Sequence, residues 1–430
     1  MQFFDGLPAS LQAVQSANAR RAFDASPELE TQVRAQLDDV RQRGDQALLD
    51  SARRFDCETL ELADLRVRPD EIEAAWRELP DAAKRALERA AKNIEAFHIA
   101  QKPGDFEFTT PEGACVGARY SPVERAGIYA PNGRAAYPST VLMLAIPARV
   151  AGVRDVVLAT PASRNGSAHP VILAAARVAG VSQIWKIGGA AAVGAFAFGT
   201  SSVSKVDKIA GPGSIWLTLA KKQVFGQVGI DGLYGPSEVG ILADESQLNR
   251  APQLAADLLA QAEHGGDSFV VFVSPSRAMC EAVERELESQ TNASPRAGLA
   301  LDALENSLIC RVETMTQACE LLSIAALEHV EVWSGEARRW AAQISNAGAL
   351  FLNTPVPLGD YIIGPSHTLP TGATARFASG VGVDTFLKRT SVVEAPREAV
   401  ALLADDLETI ALLEDLPGHA AAARRAGLEV

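Results

Sequence analysis

The chain carries six histidines, His98, His169, His264, His329, His367 and His419. Four of them stand beside acids or turn residues, the company in which an imidazole binds a metal or moves a proton. Gln261-Ala-Glu-His264 closes an expected helix and runs into Gly265-Gly266-Asp267. Helical spacing of three puts Gln261 and His264 on one face, where an amide oxygen and an imidazole nitrogen could both hold zinc. The same histidine could equally close the helix C-terminus, where positive charge is favoured.

Glu328-His329 opens an expected strand over 329–333. Neighbours in a strand point to opposite faces, so both can serve one site only at a strand end or in a loop. An acid and an imidazole placed there suit proton transfer. Gly359-Asp360-Tyr361 and Gly364-Pro365-Ser366-His367-Thr368-Leu369-Pro370 bracket an acid and a histidine with Gly/Pro turns. Loops so punctuated often hold functional side chains. Asp360 offers a carboxylate oxygen to a metal, and His367 a group to polarise a substrate. Glu414-Asp-Leu-Pro-Gly-His419 supplies one more acid and imidazole, or a helix end with incidental charge. His98, in a charged helical stretch, and His169, in a Ser/Asn/Gly loop, read as solvated surface residues.

The elements that must position these groups follow from periodicity. The first ~100 residues read as helical. Ser26-Pro27-Glu28 has the form of an N-cap with proline at the first helical position, and Leu29, Val33, Leu37 and Val40 recur at three- and four-residue intervals. A second pattern opens at Pro69-Asp70-Glu71 and runs through Ile72, Trp76, Leu79, Leu87 and Ile94.

From Ala126 short apolar strands alternate with Ala-rich helices. Strands are expected at 127–130, 153–160, 183–187 and 205–209, with helices from about Ser139, over 171–178 and over 190–198. A further stretch adds strands at 239–242, 269–273, 307–310, 329–333 and 349–352, and helices at 251–262 and 278–289. Strands that are apolar throughout and joined by helices indicate parallel sheets buried on both faces.

The expected fold is therefore α/β, with two Rossmann-like open-sheet domains, a helical N-terminal region and a helical C-terminal tail. The expected division is an arm over 1–25, one α/β domain from 26–125 plus 237–380, a second from 126–236, and a tail over 381–430. No Gly-x-Gly-x-x-Gly follows an expected strand, so the common dinucleotide fingerprint is missing. Gly188-Gly189 and Gly211-Pro212-Gly213 could let a backbone approach a phosphate, or could simply turn strand into helix.

Composition narrows the partners. The chain has 40 Lys+Arg against 53 Asp+Glu, formally −13, which argues against a nucleic-acid backbone or an anionic membrane surface as main partner. Five cysteines without a CxxC pair argue against a disulfide framework or a cysteine zinc site. The longest apolar stretch, 141–153, is interrupted by Pro147 and Arg149, and the N-terminus has no signal-like apolar run. A cytoplasmic protein is expected.

At these motifs the sequence resembles the histidinol dehydrogenase family. Matching runs include Tyr137-Pro-Ser-Thr-Val-Leu-Met143, Ile146-Pro-Ala148, Val206-Asp-Lys-Ile209, Leu219-Ala-Lys221, Gly229-Ile-Asp231 and Gly235-Pro-Ser-Glu238. They continue through Gln261–His264, Glu328-His329, Gly359–Tyr361, His367-Thr-Leu-Pro-Thr371 and Phe386-Leu-Lys-Arg-Thr390, so the likeness spans roughly 28–425 in constant order.

The resemblance implies a zinc-dependent, NAD-linked dehydrogenase that takes L-histidinol through the aldehyde to L-histidine in two hydride transfers. It implies zinc held by Gln261, His264, Asp360 and His419, the last from the partner subunit of an intertwined homodimer. It further implies that His329 is the general base, that Glu328 activates the attacking water, and that Ser237, His367 and, across the dimer, Glu414 orient the substrate. Tyr129, Ala191 and Ser214 fall at the cofactor contacts.

The chain departs from the family at several places. Ala191 stands for a usual Gln, Ser214 for Asn, Tyr234 for Ala and Val356 for Glu, while Arg134 replaces a small residue. Arg134 and Val356 would suit a paralogue acting on another small polar alcohol, such as a sulfonated propanediol; retained Ser237 and Glu414 oppose it. Ala191 and Ser214 would suit a catalytically idle binding protein; the retained zinc and proton-transfer residues oppose that.

Overall fold

A computed structural model describes residues 1–23, 25–132 and 135–428, the side chains of 427 and 428 excepted. Arg134 lies outside the described residues. The chain opens with β1 (Gln2–Asp5) and α1 (Leu7–Arg21), followed by four helices: α2 (Pro27–Arg43), α3 (Asp45–Phe55), α4 (Pro69–Glu78) and α5 (Asp81–Gln101). Ser26 caps α2, its side chain accepting from Leu29 N–H at 3.3 Å. The single pattern expected from 69 onward is broken into α4 and α5 at Leu79-Pro80. Proline lacks the amide and forces its predecessor out of the helical region.

Next come β2 (Phe106–Thr109), β3 (Cys115–Pro122), β4 (Arg125–Tyr129), α6 (Pro138–Ala151), β5 (Asp155–Thr160), α7 (Pro170–Ala179), β6 (Gln183–Lys186), α8 (Gly189–Phe198), β7 (Lys208–Ala210), α9 (Ile215–Val224) and β8 (Gly229–Ile230). The strands of 125–230 form a parallel sheet in the order β6-β5-β4-β7-β8. Val156 and Leu158 point into a cluster with α6 and α7, while Val157 and Ala159 point into another with α8 and α9. That alternation, apolar on both faces, is why the strand reads as a continuous apolar run.

The second unit holds β9 (Glu238–Ala243), α10 (Ala251–Ala262), β10 (Phe269–Ser274), α11 (Arg277–Ala293), α12 (Ala297–Glu305), β11 (Leu308–Arg311), α13 (Met315–Ala325), β12 (His329–Trp333), α14 (Ala337–Ala341), β13 (Ala349–Leu352) and α15 (Val356–Leu358). With the N-terminal strand it makes a parallel sheet, β1-β11-β10-β9-β12-β13. Phe269, Val271 and Val273 face one core, Val270 and Phe272 the other.

The N-terminal segments divide differently from the expectation. Residues 1–21 are no arm, because β1 pairs with β11, and Val14 and Ala17 of α1 join the core of the six-stranded sheet. The apolar faces of α2 and α3 (Val33, Leu37, Leu48) and of α4 and α5 (Ala75, Ala90, Ile94) cover the five-stranded sheet of 125–230, not the 238–352 unit.

The last segment is not wholly helical either. β14 (Leu387–Glu394) pairs antiparallel with β3, which pairs with β2, before α16 (Arg397–Leu413) and α17 (Pro417–Leu428) end the chain. No helix of the described residues is long and apolar enough to cross a membrane. All five cysteines are free, and four are buried.

Candidate active site

Residues at strand ends of both parallel sheets line one cavity. Pro131 follows β4 and Pro212–Ser214 follow β7, so they mark the C-terminal edge of the five-stranded sheet. Ser237, Ser268, Glu328 and His329 mark the N-terminal edge of the six-stranded one. Between these edges lies a cavity of about 420 Å³. On the first side it opens where the strand order reverses, between β4 and β7, the place where open α/β sheets bind ligands.

The second side carries the reactive groups. Register sets His329, the first residue of β12, opposite Val239, the second of β9, so Glu328 and His329 come out at a strand start and both line the cavity. Gln261, in the last turn of α10, and His264, just beyond it, line the same wall. Asp360 projects from a single π-helical turn, Gly359–Ile363, a distortion common at functional sites. That turn is tied to α5, where Asn93 Nδ2 donates to Ile362 O at 2.8 Å.

His329 is held at both ring nitrogens. Nδ1 lies 3.0 Å from Glu238 O, and Nε2 lies 3.0 Å from Asp360 Oδ1. A backbone carbonyl can only accept, so the Nδ1 proton is fixed and Nε2 is the nitrogen whose proton is in play. Burial alone would lower the imidazole pKa, but the Glu328 and Asp360 carboxylates outweigh it and hold it well above the usual value. Burial pushes Asp360 up, and the imidazoles of His329, His367 and His264 carry it below the ordinary carboxylate value. His264 presents its ring to the open cavity, yet the enclosing walls desolvate it and lower its pKa.

His367 donates from Nδ1 to Asp360 O at 2.7 Å, leaving Nε2 to accept from Thr140 Oγ1 at 3.1 Å. Ser237 lies at the cavity rim, before β9. Thr140, Tyr137 and Tyr361 also line the cavity. Sequence reasoning assigned them nothing, although Thr140 lies within the matching run Tyr137–Met143.

The residues present fit a cation. Gln261 Oε1 is buried without a hydrogen-bond partner, in a wall shared with His264 and Asp360. A buried acceptor left unpaired is costly, and a metal ion would satisfy it. Among the described residues of one chain, no group of three or more His, Cys, Asp or Glu could hold a metal. The donors that one chain brings together are thus one amide, one imidazole and one carboxylate. His419 and Glu414 are exposed on the C-terminal helices and do not line the cavity.

The first side fits a phosphate-bearing cofactor. Gly211 has φ +128°, and a Cβ there would lie 2.4 Å from Tyr129 O, so only glycine permits this turn between β7 and α9. Gly189, at φ +54°, faces open space at the start of α8, and its N–H donates to Tyr129 Oη at 3.3 Å. Burial pushes the Tyr129 phenol up to about 12. Ser214 is exposed at the N-cap of α9 and lines the cavity, whereas Ala191 is 2 % exposed inside α8 and offers no polar group.

Of the other departures, Tyr234 is buried at the cavity wall with its hydroxyl unpartnered. Val356 is packed in the core, its N–H donating to Glu331 Oε1 at 2.9 Å, so it stands behind the cavity and not on its lining. Two histidines differ from expectation or lie apart from the site. His98 is fully buried against Phe97, with Nδ1 bonded to Ile94 O at 2.7 Å, because it falls on the inward face of α5. His169 caps α7 through Val171 N–H.

Comparison with known proteins extends over most of the chain. The histidinol dehydrogenase family model matches residues 19–426. The chain is similar to histidinol dehydrogenase of Prochlorococcus marinus (strain MIT 9313), 45% identical over 391 residues, 90% of this chain and 88% of that protein. The same enzyme of Gluconobacter oxydans (strain 621H) is 43% identical over 391 residues, covering 90% of each. The crystal structure of histidinol dehydrogenase from Elizabethkingia anophelis superposes with a TM-score of 0.94 at 34% identity, covering 99% of this chain and 98% of that one.

Proposed function

The chain belongs to the histidinol dehydrogenase family, and we propose that it oxidises L-histidinol through the aldehyde to L-histidine, reducing two NAD. The observation that carries this reading is His329, set between Glu328 and Asp360 in one cavity with Gln261 and His264. The cavity, about 420 Å³, is of a size that takes a small molecule.

Gln261, His264 and Asp360 would hold zinc together with His419 of a second copy. Zinc bound there would fix the substrate and polarise its oxygen. Once Nε2 has released the proton it shares with Asp360, neutral His329 takes the hydroxyl proton at that nitrogen as the first hydride leaves the alcohol carbon for NAD, giving the aldehyde. Glu328 then takes a proton from water as the water oxygen bonds to the aldehyde carbon. The resulting hydrate anion loses a hydride to a second NAD and, giving its remaining hydroxyl proton to His329 once that residue has passed the first proton to solvent, becomes the carboxylate. Ser237 and His367 orient the substrate, and Glu414 does so from the partner. The Tyr129 and Ser214 region receives the nicotinamide cofactor, and Ala191 lies beneath it.

The C-terminal segment supports a shared site. The α16–α17 hairpin packs chiefly on itself, and it exposes Leu402, Leu407, Ile410 and Leu413, the last 80 % exposed. Val393 of β14 and Phe106 and Phe108 of β2 are exposed beside it in sequence or sheet. So much exposed apolar surface calls for a cover, and exchange between two copies would deliver Glu414 and His419 to the neighbouring cavity.

Purified protein supplied with zinc, NAD and separate alcohols, including histidinol and a sulfonated propanediol, tests the reading. Reduced cofactor should form with histidinol. Turnover confined to another alcohol would replace the substrate, and silence throughout with zinc bound would favour an idle protein.

A further inference from the structure

We infer that Glu238, a residue with no role in the chemistry above, is the positioning residue that sets both Glu328 and His329, and that Arg21 holds it in place. The inference rests on the proposed reaction. Glu238 begins β9 and is 1 % exposed. Its backbone N–H donates to Glu328 Oε2 at 2.9 Å, and its own Oε2 accepts from Glu328 N–H at 3.3 Å. This reciprocal exchange turns the Glu328 carboxylate and pins the start of β12 at the same time. Its carbonyl accepts a hydrogen bond from His329 Nδ1, which fixes the tautomer and leaves Nε2 to Asp360 and the proton-transfer role. Its Oε1 accepts from Gly372 N–H at 2.8 Å, anchoring the loop whose Thr371 Oγ1 accepts from Gly235 N–H at 2.6 Å.

The fourth tie comes from the far end of the chain. Arg21, last residue of α1, pairs with Glu238 Oε1. Its guanidinium also donates to Ala325 O at 3.1 Å and lies 4.4 Å over the Phe269 ring. A buried carboxylate beside the Glu328 carboxylate is expensive, and a fold that needed only to fill this space would be as stable or more so with neutral groups. The carboxylate is retained because two N–H donors, those of Glu328 and Gly372, converge on its two oxygens while the Arg21 guanidinium pairs with one of them. A glutamine amide would turn an N–H toward one of these donors.

The test separates charge compensation from positioning. Arg21→Met/Glu238→Gln removes both buried charges, and Glu238→Asp keeps the charge but withdraws it by one methylene. Each folded variant is expected to hold zinc as wild type does and to keep the KM for histidinol, while kcat falls about 10- to 100-fold, the range for groups that orient reacting residues. Wild-type kcat in either folded variant would overturn the inference, because the first lacks the buried ion pair altogether and the second keeps it with the carboxylate withdrawn. Wild-type protein assayed alongside separates the two claims. Its inactivity on histidinol would overturn the reaction and the inference together, whereas an active wild type with fully active variants would overturn the inference alone.

Discussion

His329 Nε2 and Asp360 Oδ1 stand 3.0 Å apart, although one is the first residue of a buried strand and the other hangs from a π-helical turn braced by α5. This contact joins the proton-transfer pair to the proposed metal donors, so proton transfer and metal binding are separable by mutation on either side of it.

On the proton-transfer side, His329→Gln should lower kcat by about 10²- to 10⁴-fold with zinc retained, as read by metal content and steady-state rates. Glu328→Gln should slow the aldehyde-to-acid half more than the alcohol-to-aldehyde half, measured by supplying each substrate separately. Equal loss in both halves would remove Glu328 from the role of water activator.

On the metal side, His264→Asn should strip zinc and activity while circular dichroism shows the fold intact. A chelator should silence the wild-type protein, and zinc should restore it. Normal turnover by metal-free protein would refute the ligand assignment.

The exposed helices make a prediction about assembly. His264→Asn and His419→Asn homodimers should each be inactive. Random mixing of their subunits should recover activity toward about a quarter of the wild-type sites, since half the dimers carry one intact site. No recovery after confirmed subunit exchange would contradict a site shared between copies.

A pair of buried acids, Asp257 and Glu331, makes stability depend on pH. Burial raises Asp257 to about 6, and burial together with the Asp257 charge raises Glu331 to about 8. The folded chain therefore binds protons that the unfolded chain has released, and stability falls as pH rises from about 4 to 8 through these groups. Asp257→Asn should raise the thermal midpoint by several degrees at pH 8 and by much less at pH 5. A shift that is equal at both pH values would count against a shared buried charge.

How much of this was legible beforehand depended on the range over which each signal acts. Most strands of the two parallel sheets, β1 and β8 excepted, showed themselves as apolar runs, and the helix over 251–262 falls where its periodicity put it. β14 was hidden because Leu387–Glu394 is an almost wholly exposed strand whose pairing partner, β3, lies some 270 residues earlier. His98 sat in a charged helix, and only the direction of its face buries it. Gln261, His264, Glu328, His329, Asp360 and His367 were each visible as an unusual local pattern, and the fold gathers them in one cavity. Glu238 was overlooked because its neighbours Arg21, Gly372 and Glu328 are distant along the chain.

One cavity is proposed to perform two successive oxidations on one substrate. Limiting L-histidinol, incubated to completion with the zinc-loaded protein and excess NAD, measures it directly through the absorbance of reduced cofactor. Two reduced cofactors and one histidine per substrate consumed are expected. One reduced cofactor with aldehyde released, or none at all, would contradict the two-step oxidation.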